Sequence, residues 1–332
     1  MDINIDKIKW DSKKVGEETE VTGRLKIGGR SVKVTFTGSG EGMQEMMGRA
    51  IADIGAEHII AMLGQEVKFS QESFANTELL QLNGKRLETL DKNSPLYKAA
   101  LRTNFVAYDH FGCVPPSISN ESNWCYASST FQLLFSSGFF FEKVAEYRRK
   151  RNPDDFEKAV ISLHEAAVRG SGVVEARQKV ITAMRRQAPN FKFDEPNDAA
   201  EFQERLYERI GYAVNSQSAH LVVPAQQELA HAVSKGKVDA TSKSLMVKMD
   251  RFAGKTDRSD LKIPSEVENN GVRYRLKGIQ FQIKDDEKGH YYSYVRRGNR
   301  WFHVDDASVK KISQKDVDNE KGNGYIFHYE RA

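Results

Sequence analysis

The chain has 332 residues, 39% of them hydrophobic and 29% charged, which fits a globular protein of about two domains and excludes a disordered tail or a fibre. Its 50 basic against 46 acidic residues leave a net charge of +4, too mild and too evenly mixed to argue for nucleic acid. No run of ~18 apolar residues suggests a membrane span, and the start, Met1 to Lys14, lacks the apolar stretch of a signal peptide. Along the chain, residues 20–37 read as a β-hairpin about the two-residue turn Gly28-Gly29. Pairing about that turn sets Leu25 opposite Val32 and Val21 opposite Phe36 on an apolar face, with Lys26 opposite Ser31 and Thr22 opposite Thr35 on a polar one. Residues 41–63 read as one amphipathic helix with Met43, Met47, Ile51, Ile54 and Ile59 along a stripe and Gly64 as its C-cap. These elements predict a small α+β domain over 1–95, ending in the polar stretch Asp91 to Pro95, and a second domain over 96–332.

The middle, 125–235, is predicted mostly helical, with periodic segments at 126–137, 154–168, 173–187 and 198–213, punctuated by Pro153, Pro189 and Pro196. The basic run Tyr147 to Arg151 reads as a solvated helix face, and Asp198 with Glu201 resembles a capping box. From about residue 272 the period becomes two. Val272, Tyr274 and Leu276 alternate on even positions, and Ile279, Phe281 and Ile283 on odd ones. A bulge at Gly278 keeps both sets on one face. Strands follow at 290–297, 300–304 and 324–330, with turns at 285–288 and 297–299. Helices first and antiparallel strands later predict an α+β domain with the helices segregated from the sheet.

Two cysteines, Cys113 and Cys125, twelve residues apart, make neither a disulfide framework nor a four-thiolate zinc site, and no zinc-protease motif, P-loop or dinucleotide motif is present. A cysteine nucleophile in a reducing compartment stays open. Cys125 ends a polar, asparagine-rich loop where an apolar-periodic helix begins, and a helix N-terminus favours a thiolate; a buried cysteine opening a core helix fits the same position. Cys113, before Pro115-Pro116, reads as structural. His290 opens a strand, and one hairpin later come Asp305 and Asp306, returned to the base of the hairpin within reach of the imidazole. A histidine held by an acid is what a thiol hydrolase needs beside its cysteine.

These residues carry a resemblance. Asn120, Cys125-Tyr126 and Gln132-Leu133-Leu134 resemble the cysteine box of the ubiquitin-specific proteases, a family of deubiquitinases. Tyr274 to Ile279, then Gly289-His290-Tyr291 with Tyr294-Val295-Arg296, then Trp301 with Asp305-Asp306 and Val309, resemble its histidine box, and Gly324 to Arg331 its closing strand. Asn197 to Phe202 is similar to its acidic helix-start motif. Four motifs in order cover about 110–332. The resemblance implies a papain-like fold with a helical thumb, an antiparallel β palm and reduced or absent fingers. It implies Cys125 as nucleophile, His290 as general base, Asp305 as the residue that orients the imidazole, Asn120 as oxyanion donor and Asp306 as its helper. Asp198, Gly289 and Tyr291 would line a slot for the glycine-glycine tail of ubiquitin, which is narrow enough to admit no side chain. No cofactor or metal is implied. The implied partners are ubiquitin and ubiquitinated proteins, in the cytoplasm or, for a bacterial effector, the host cytosol.

The sequence also departs from the family. Trp124 stands where the family usually has threonine, Ala127-Ser128 where Met-Asn is common, and only 165 residues separate Cys125 from His290, with no CxxC pair between them. The expected activity is hydrolysis after ubiquitin's C-terminal glycine. The same chemistry on another ubiquitin-like modifier or on ester-linked ubiquitin, and a weakly active ubiquitin-binding scaffold, are the alternatives.

Overall fold

The computed structural model describes residues 8–16, 18–38, 43–70, 81–86, 89–91, 93–111, 115–121, 123–169, 171–186, 191–193, 195, 197–211, 220–224, 228–236, 238, 242–250, 262–284, 289–297 and 300–332. Cys113, Pro189, Pro196, the turn at 285–288 and most of the turn at 297–299 lie outside the described residues. The chain divides into two compact units, Met1–Cys113 and Val114–Ala332.

The first unit holds a six-stranded sheet in the order β1 (Lys9–Val15), β2 (Glu18–Ile27), β3 (Arg30–Gly38), β4 (Glu66–Ser70), β5 (Gln81–Leu82), β6 (Lys85–Arg86). The β2–β3 hairpin has the register read from the sequence: Leu25 pairs with Val32, Val21 with Phe36, Lys26 with Ser31 and Thr22 with Thr35. Gly28 and Gly29 have φ of 57° and 79°, the two left-handed residues that a tight turn between twisted strands requires. Val21, Leu25, Val32 and Phe36 are buried, and the Thr22 and Thr35 hydroxyls meet at 3.1 Å on the other face.

The single helix expected over 41–63 is two, α1 (Met43–Ile54) and α2 (Ala56–Ala61), broken at Gly55, whose φ is 90°. Met43, Met47, Ile51, Ile54 and Ile59 are all buried, so the stripe holds although the helix does not. The boundary expected at 95/96 falls at the start of α3 (Pro95–Phe111), where the Ser94 hydroxyl accepts from the Tyr97 N–H at 3.1 Å. α3 packs on α1 and α2, and the first unit therefore runs on to Cys113.

The second unit begins with helices α4 (Cys125–Leu134), α5 (Gly138–Arg148), α6 (Asp155–Arg169), α7 (Val173–Arg185) and α8 (Ala199–Ile210). Next come β7 (His220–Pro224), α9 (Leu229–Lys235), β8 (Ser244–Asp250) and β9 (Glu266–Asn269). The chain closes with β10 (Val272–Lys284), β11 (Gly289–Arg297), β12 (Arg300–Asp305), β13 (Ser308–Ile312), α10 (Gln314–Glu320) and β14 (Ile326–Arg331). The sheet order is β13-β12-β11-β10-β14-β8-β7, with β9 on β10, and every pair is antiparallel except β7–β8. One face carries α4 and the helical layer behind it in a core rich in phenylalanine; α9, β9 and α10 contribute to the core on the other.

The parity change in β10 is a bulge. Leu276 faces Tyr329 and Gly278 faces His328, so Lys277 is the extra residue, and Tyr274, Leu276, Ile279 and Phe281 share one core. Gly278 has a second use. A Cβ there would lie 2.4 Å from Leu133 Cδ2, so its absence lets α4 approach the sheet. The basic run at the end of α5 is less solvated than its composition suggests: Tyr147 is buried, Arg148 pairs with Glu165 at 2.9 Å and Lys150 pairs with Glu157. Among the described residues no helix is long and apolar enough to cross a membrane.

Candidate active site

Cys125 is the first residue of α4, and the polar run before it is shaped to deliver it there. Asn123 takes a left-handed φ of 57°, which asparagine tolerates better than most residues, and the Trp124 N–H donates to Asn120 Oδ1 at 2.9 Å. The Trp124 indole and the Tyr126 hydroxyl both donate to the Phe193 carbonyl at 2.8 Å. Every residue of α4 is buried, and Ser129 Oγ donates to the Cys125 carbonyl at 2.7 Å. Beneath the helix, Gln280 Nε2 from β10 donates to Ser129 Oγ at 2.5 Å. Cys125 therefore sits on a packed helix, 7% exposed, at its N-terminal end.

His290 is the second residue of β11, opposite Ile283 of β10. Its Nε2 lies 2.6 Å from Asp305 Oδ1 at the end of β12, and its side chain also hydrogen-bonds that of Cys125. That bond with Cys125 is the largest cause pushing His290 up to about 9; the bond and charge of Asp305 add to it, and partial burial opposes it. A cysteine, a histidine and an aspartate are thus brought into one line of hydrogen bonds.

The adjacent acid does something else. Asp305 pairs with Ser308 across a two-residue turn, in which Asp306 is left-handed at φ 48°. The turn aims the Asp306 side chain at the Asn120 amide, which donates to it, while the Asp306 carbonyl accepts from the Ile118 N–H at 3.2 Å. Asn120 is thereby fixed in both senses, its oxygen toward Trp124 and its nitrogen toward Asp306. Burial holds the Asp306 carboxyl above the usual carboxylate range, against the pull of His290, Asn120 and Arg177. Donor atoms of His290, Asp305 and Asp306 lie within 4.8 Å of one another, a grouping that could hold a cation. Each is already engaged, His290 with Asp305 and Cys125, and Asp306 with Asn120.

Asp198 is the N-cap of α8. Its Oδ1 accepts from the N–H groups of Ala200 and Glu201 at 2.7 and 3.2 Å, and its Oδ2 accepts from the Tyr325 hydroxyl at 2.6 Å. Glu201 pairs with Arg205 at 2.8 Å. Tyr291 is buried against this helix start: its hydroxyl accepts from Gln282 Nε2 at 2.8 Å and from the Ala199 N–H. Gly289 is exposed, and a Cβ on it would meet only ordinary contacts, the nearest at 3.6 Å. Sequence reasoning missed three supports. Tyr325 lies inside the closing-strand motif, which was its signal; Gln280 is one of the polar positions alternating with the β10 core; Arg177 had none beyond its place in a helical stripe.

Comparison with known proteins fits this geometry. Residues 235–329 match the family model of ubiquitin carboxyl-terminal hydrolase, a span that includes His290, Asp305 and Asp306. Over that segment the chain is similar to ubiquitin carboxyl-terminal hydrolases. Ubiquitin carboxyl-terminal hydrolases 27 of mouse and of human are each 37% identical over 73 residues, which are 21% of this chain and 16% of those proteins. The chain is thus matched over about a sixth of the length of these relatives. Among solved structures, chains of the SAGA DUB module Ubp8/Sgf11/Sus1/Sgf73, bound to monoubiquitin and to ubiquitin aldehyde, align with a TM-score of 0.51 at 15% identity. Each alignment covers 71% of this chain and 75% of that one. The likeness is one of fold: mixed α+β, papain-like, with a helical layer against an open sheet.

Proposed function

We propose that this chain is a deubiquitinase that cleaves the bond after the C-terminal glycine of ubiquitin through an acyl-enzyme on Cys125. The observation that carries the reading is the hydrogen-bonded line Cys125–His290–Asp305, two of its three members inside the segment similar to ubiquitin carboxyl-terminal hydrolases.

The chemistry follows from the geometry. His290 takes the Cys125 proton, and the sulfur attacks the glycine carbonyl carbon. The carbonyl oxygen becomes an oxyanion, which the second N–H of the Asn120 amide stabilises while Asp306 holds the first. Protonated His290 gives its proton to the departing lysine amine, the C–N bond breaks and a thioester remains on Cys125. His290 then takes a proton from water, whose oxygen attacks the thioester; free ubiquitin carboxylate leaves and the thiol is restored. Asp305 keeps the imidazole in the tautomer and orientation that both halves need.

Gly289, Tyr291 and Asp198 form the slot for the tail. The fold itself tolerates a side chain at 289, so the demand for glycine there comes from the substrate. Asp198 serves the slot chiefly by building its wall, as N-cap and as acceptor for Tyr325. The test is ubiquitin carrying a C-terminal electrophile, beside equivalents built on other ubiquitin-like modifiers. A covalent adduct at Cys125 with ubiquitin supports the reading. A folded protein that forms none refutes it, and preference for another modifier moves the substrate.

A further inference from the structure

Among the described residues near the site, Arg177 has a place that neither packing nor the mechanism above explains. It occupies a core position of α7, in the stripe Val173, Ala176, Val180, Ile181, Met184, and it is 0% exposed. A buried guanidinium is costly unless its donors and charge are met. Only Nη1 finds acceptors among the described residues: the Ser119 carbonyl at 3.0 Å and Ser128 Oγ at 2.6 Å. The plane of the group lies over the Trp124 ring, 5.0 Å from its centroid. Burial pushes the guanidinium down, and Glu121, Asp306 and Tyr126 oppose it.

These contacts have a common object. Ser119 precedes Asn120, Glu121 follows it, and Trp124 supplies the N–H that fixes the Asn120 oxygen. Asp306 accepts from the Asn120 nitrogen. Arg177 thus grips the loop at its entry through Ser119 and at its exit through Trp124, and Ser128 ties it to the first turn of α4. Trp124 and Ser128 are also two of the positions where the cysteine box departs from the family pattern. Both are partners of one buried arginine.

We propose that Arg177 is a positioning residue that clamps the 119–124 loop so that the Asn120 amide faces the developing oxyanion, and that it serves acyl transfer without acting on the thiol. The proposal rests on the thiol-hydrolase reading above.

The test is a double-mutant cycle between Arg177→Met and Asn120→Ala in the full chain, with Arg177→Lys as the conservative variant. Hydrolysis of a C-terminal fluorogenic ubiquitin substrate gives kcat and KM, and iodoacetamide alkylation of Cys125, followed by peptide mass, reports the thiol alone. Arg177→Met is expected to lower kcat by about 10²-fold, the scale of a misplaced catalytic group, with KM and the alkylation rate within about twofold. Arg177→Lys keeps the charge and one anchor and recovers about tenfold of that loss. The double variant should be no slower than Asn120→Ala alone, because both changes remove the same interaction. Additive losses, an equal slowing of alkylation, or a folded Arg177→Met with wild-type kcat overturns the proposal. Should Arg177→Met fail to fold, the cycle run with Arg177→Lys decides by the same additivity. A wild type that turns over no ubiquitin substrate refutes the hydrolase reading and the proposal with it, whereas an active wild type indifferent to Arg177 refutes this proposal alone.

Discussion

Replacing Asp305 by asparagine changes one atom in a contact of 2.6 Å, and its effect on His290 has a defined sign. In the intact site the imidazole is pushed up to about 9, first by Cys125 and then by the bond and charge of Asp305. An imidazole raised to about 9 holds its proton through the neutral range, so in the proposed mechanism the proton it passes to the leaving amine is the one taken from Cys125, and kcat/KM should fall on the alkaline side as pH passes about 9. Asparagine keeps the shape and an acceptor but removes the charge. An opposite charge this close contributes about 1–3 pH units to such a group, and Asp305 is not the largest contributor here, so the alkaline limb should move down by about 1–2. Loss of orientation should lower kcat by about 10²–10³-fold beyond that. The assay is hydrolysis of a fluorogenic ubiquitin substrate between pH 5.5 and 10, with thermal melts over the same range. Because the folded value of His290 is raised, its contribution to stability is complete below about 6.5 and is lost as pH rises through about 9. Wild type should therefore exceed Asp305→Asn in Tm most at pH 5.5–6.5 and least above 9. An alkaline limb that stays at 9 in the variant, or a Tm gap that widens with pH, would refute the reasoning.

Other outcomes follow from single contacts. Cys125→Ala should abolish both hydrolysis and adduct formation with a ubiquitin electrophile while the melt stays unchanged; turnover by the folded variant would remove Cys125 as nucleophile. Asn120→Ala should lower kcat by about 10²–10³-fold, and Asp306→Ala by less, since Asp306 only holds the amide; steady-state kinetics showing the reverse order would give Asp306 the larger part. Gly278→Ala drives a Cβ to 2.4 Å from Leu133 and should destabilise the fold by about 1–3 kcal/mol in denaturant titration. Gly289→Ala meets nothing closer than 3.6 Å, so it should leave Tm alone and raise KM for ubiquitin; an unchanged KM would take residue 289 out of the slot.

What the sequence made legible was local. The β2–β3 register could be read because two adjacent glycines admit few turns, and alternation then fixes every pair. The β10 bulge announced itself as a parity change. The break at Gly55 did not, since the apolar stripe continues from Ile54 to Ile59 across it. The helix 138–148 was read only at its basic end, because its run of three phenylalanines has no period, and β13 was missed because Ser308 to Ile312 is a mostly exposed edge rich in lysine. In the site, Cys125, His290 and Asp305 could be found from motif and hairpin length. The partners of Arg177 lie 49 to 58 residues away in sequence, so no local pattern could reveal its grip. Asp198 shows the two kinds of information meeting: the capping signal and the family motif were both present, and one carboxylate caps the helix and receives Tyr325.

The separation of the two halves of the site has a consequence in time. His290, Asp305 and Asp306 ride on the meander β10–β13, whose pairings are between neighbours in sequence, whereas the thiol is carried by a helix that begins 165 residues before His290. During synthesis at about 5–20 residues per second, Cys125 is added roughly 8 to 33 seconds before His290. Until then the imidazole and the carboxylate of the proposed line are not there to act on it. In the proposed mechanism the line Cys125–His290–Asp305 is complete only once α4 has packed on the sheet beside Gly278.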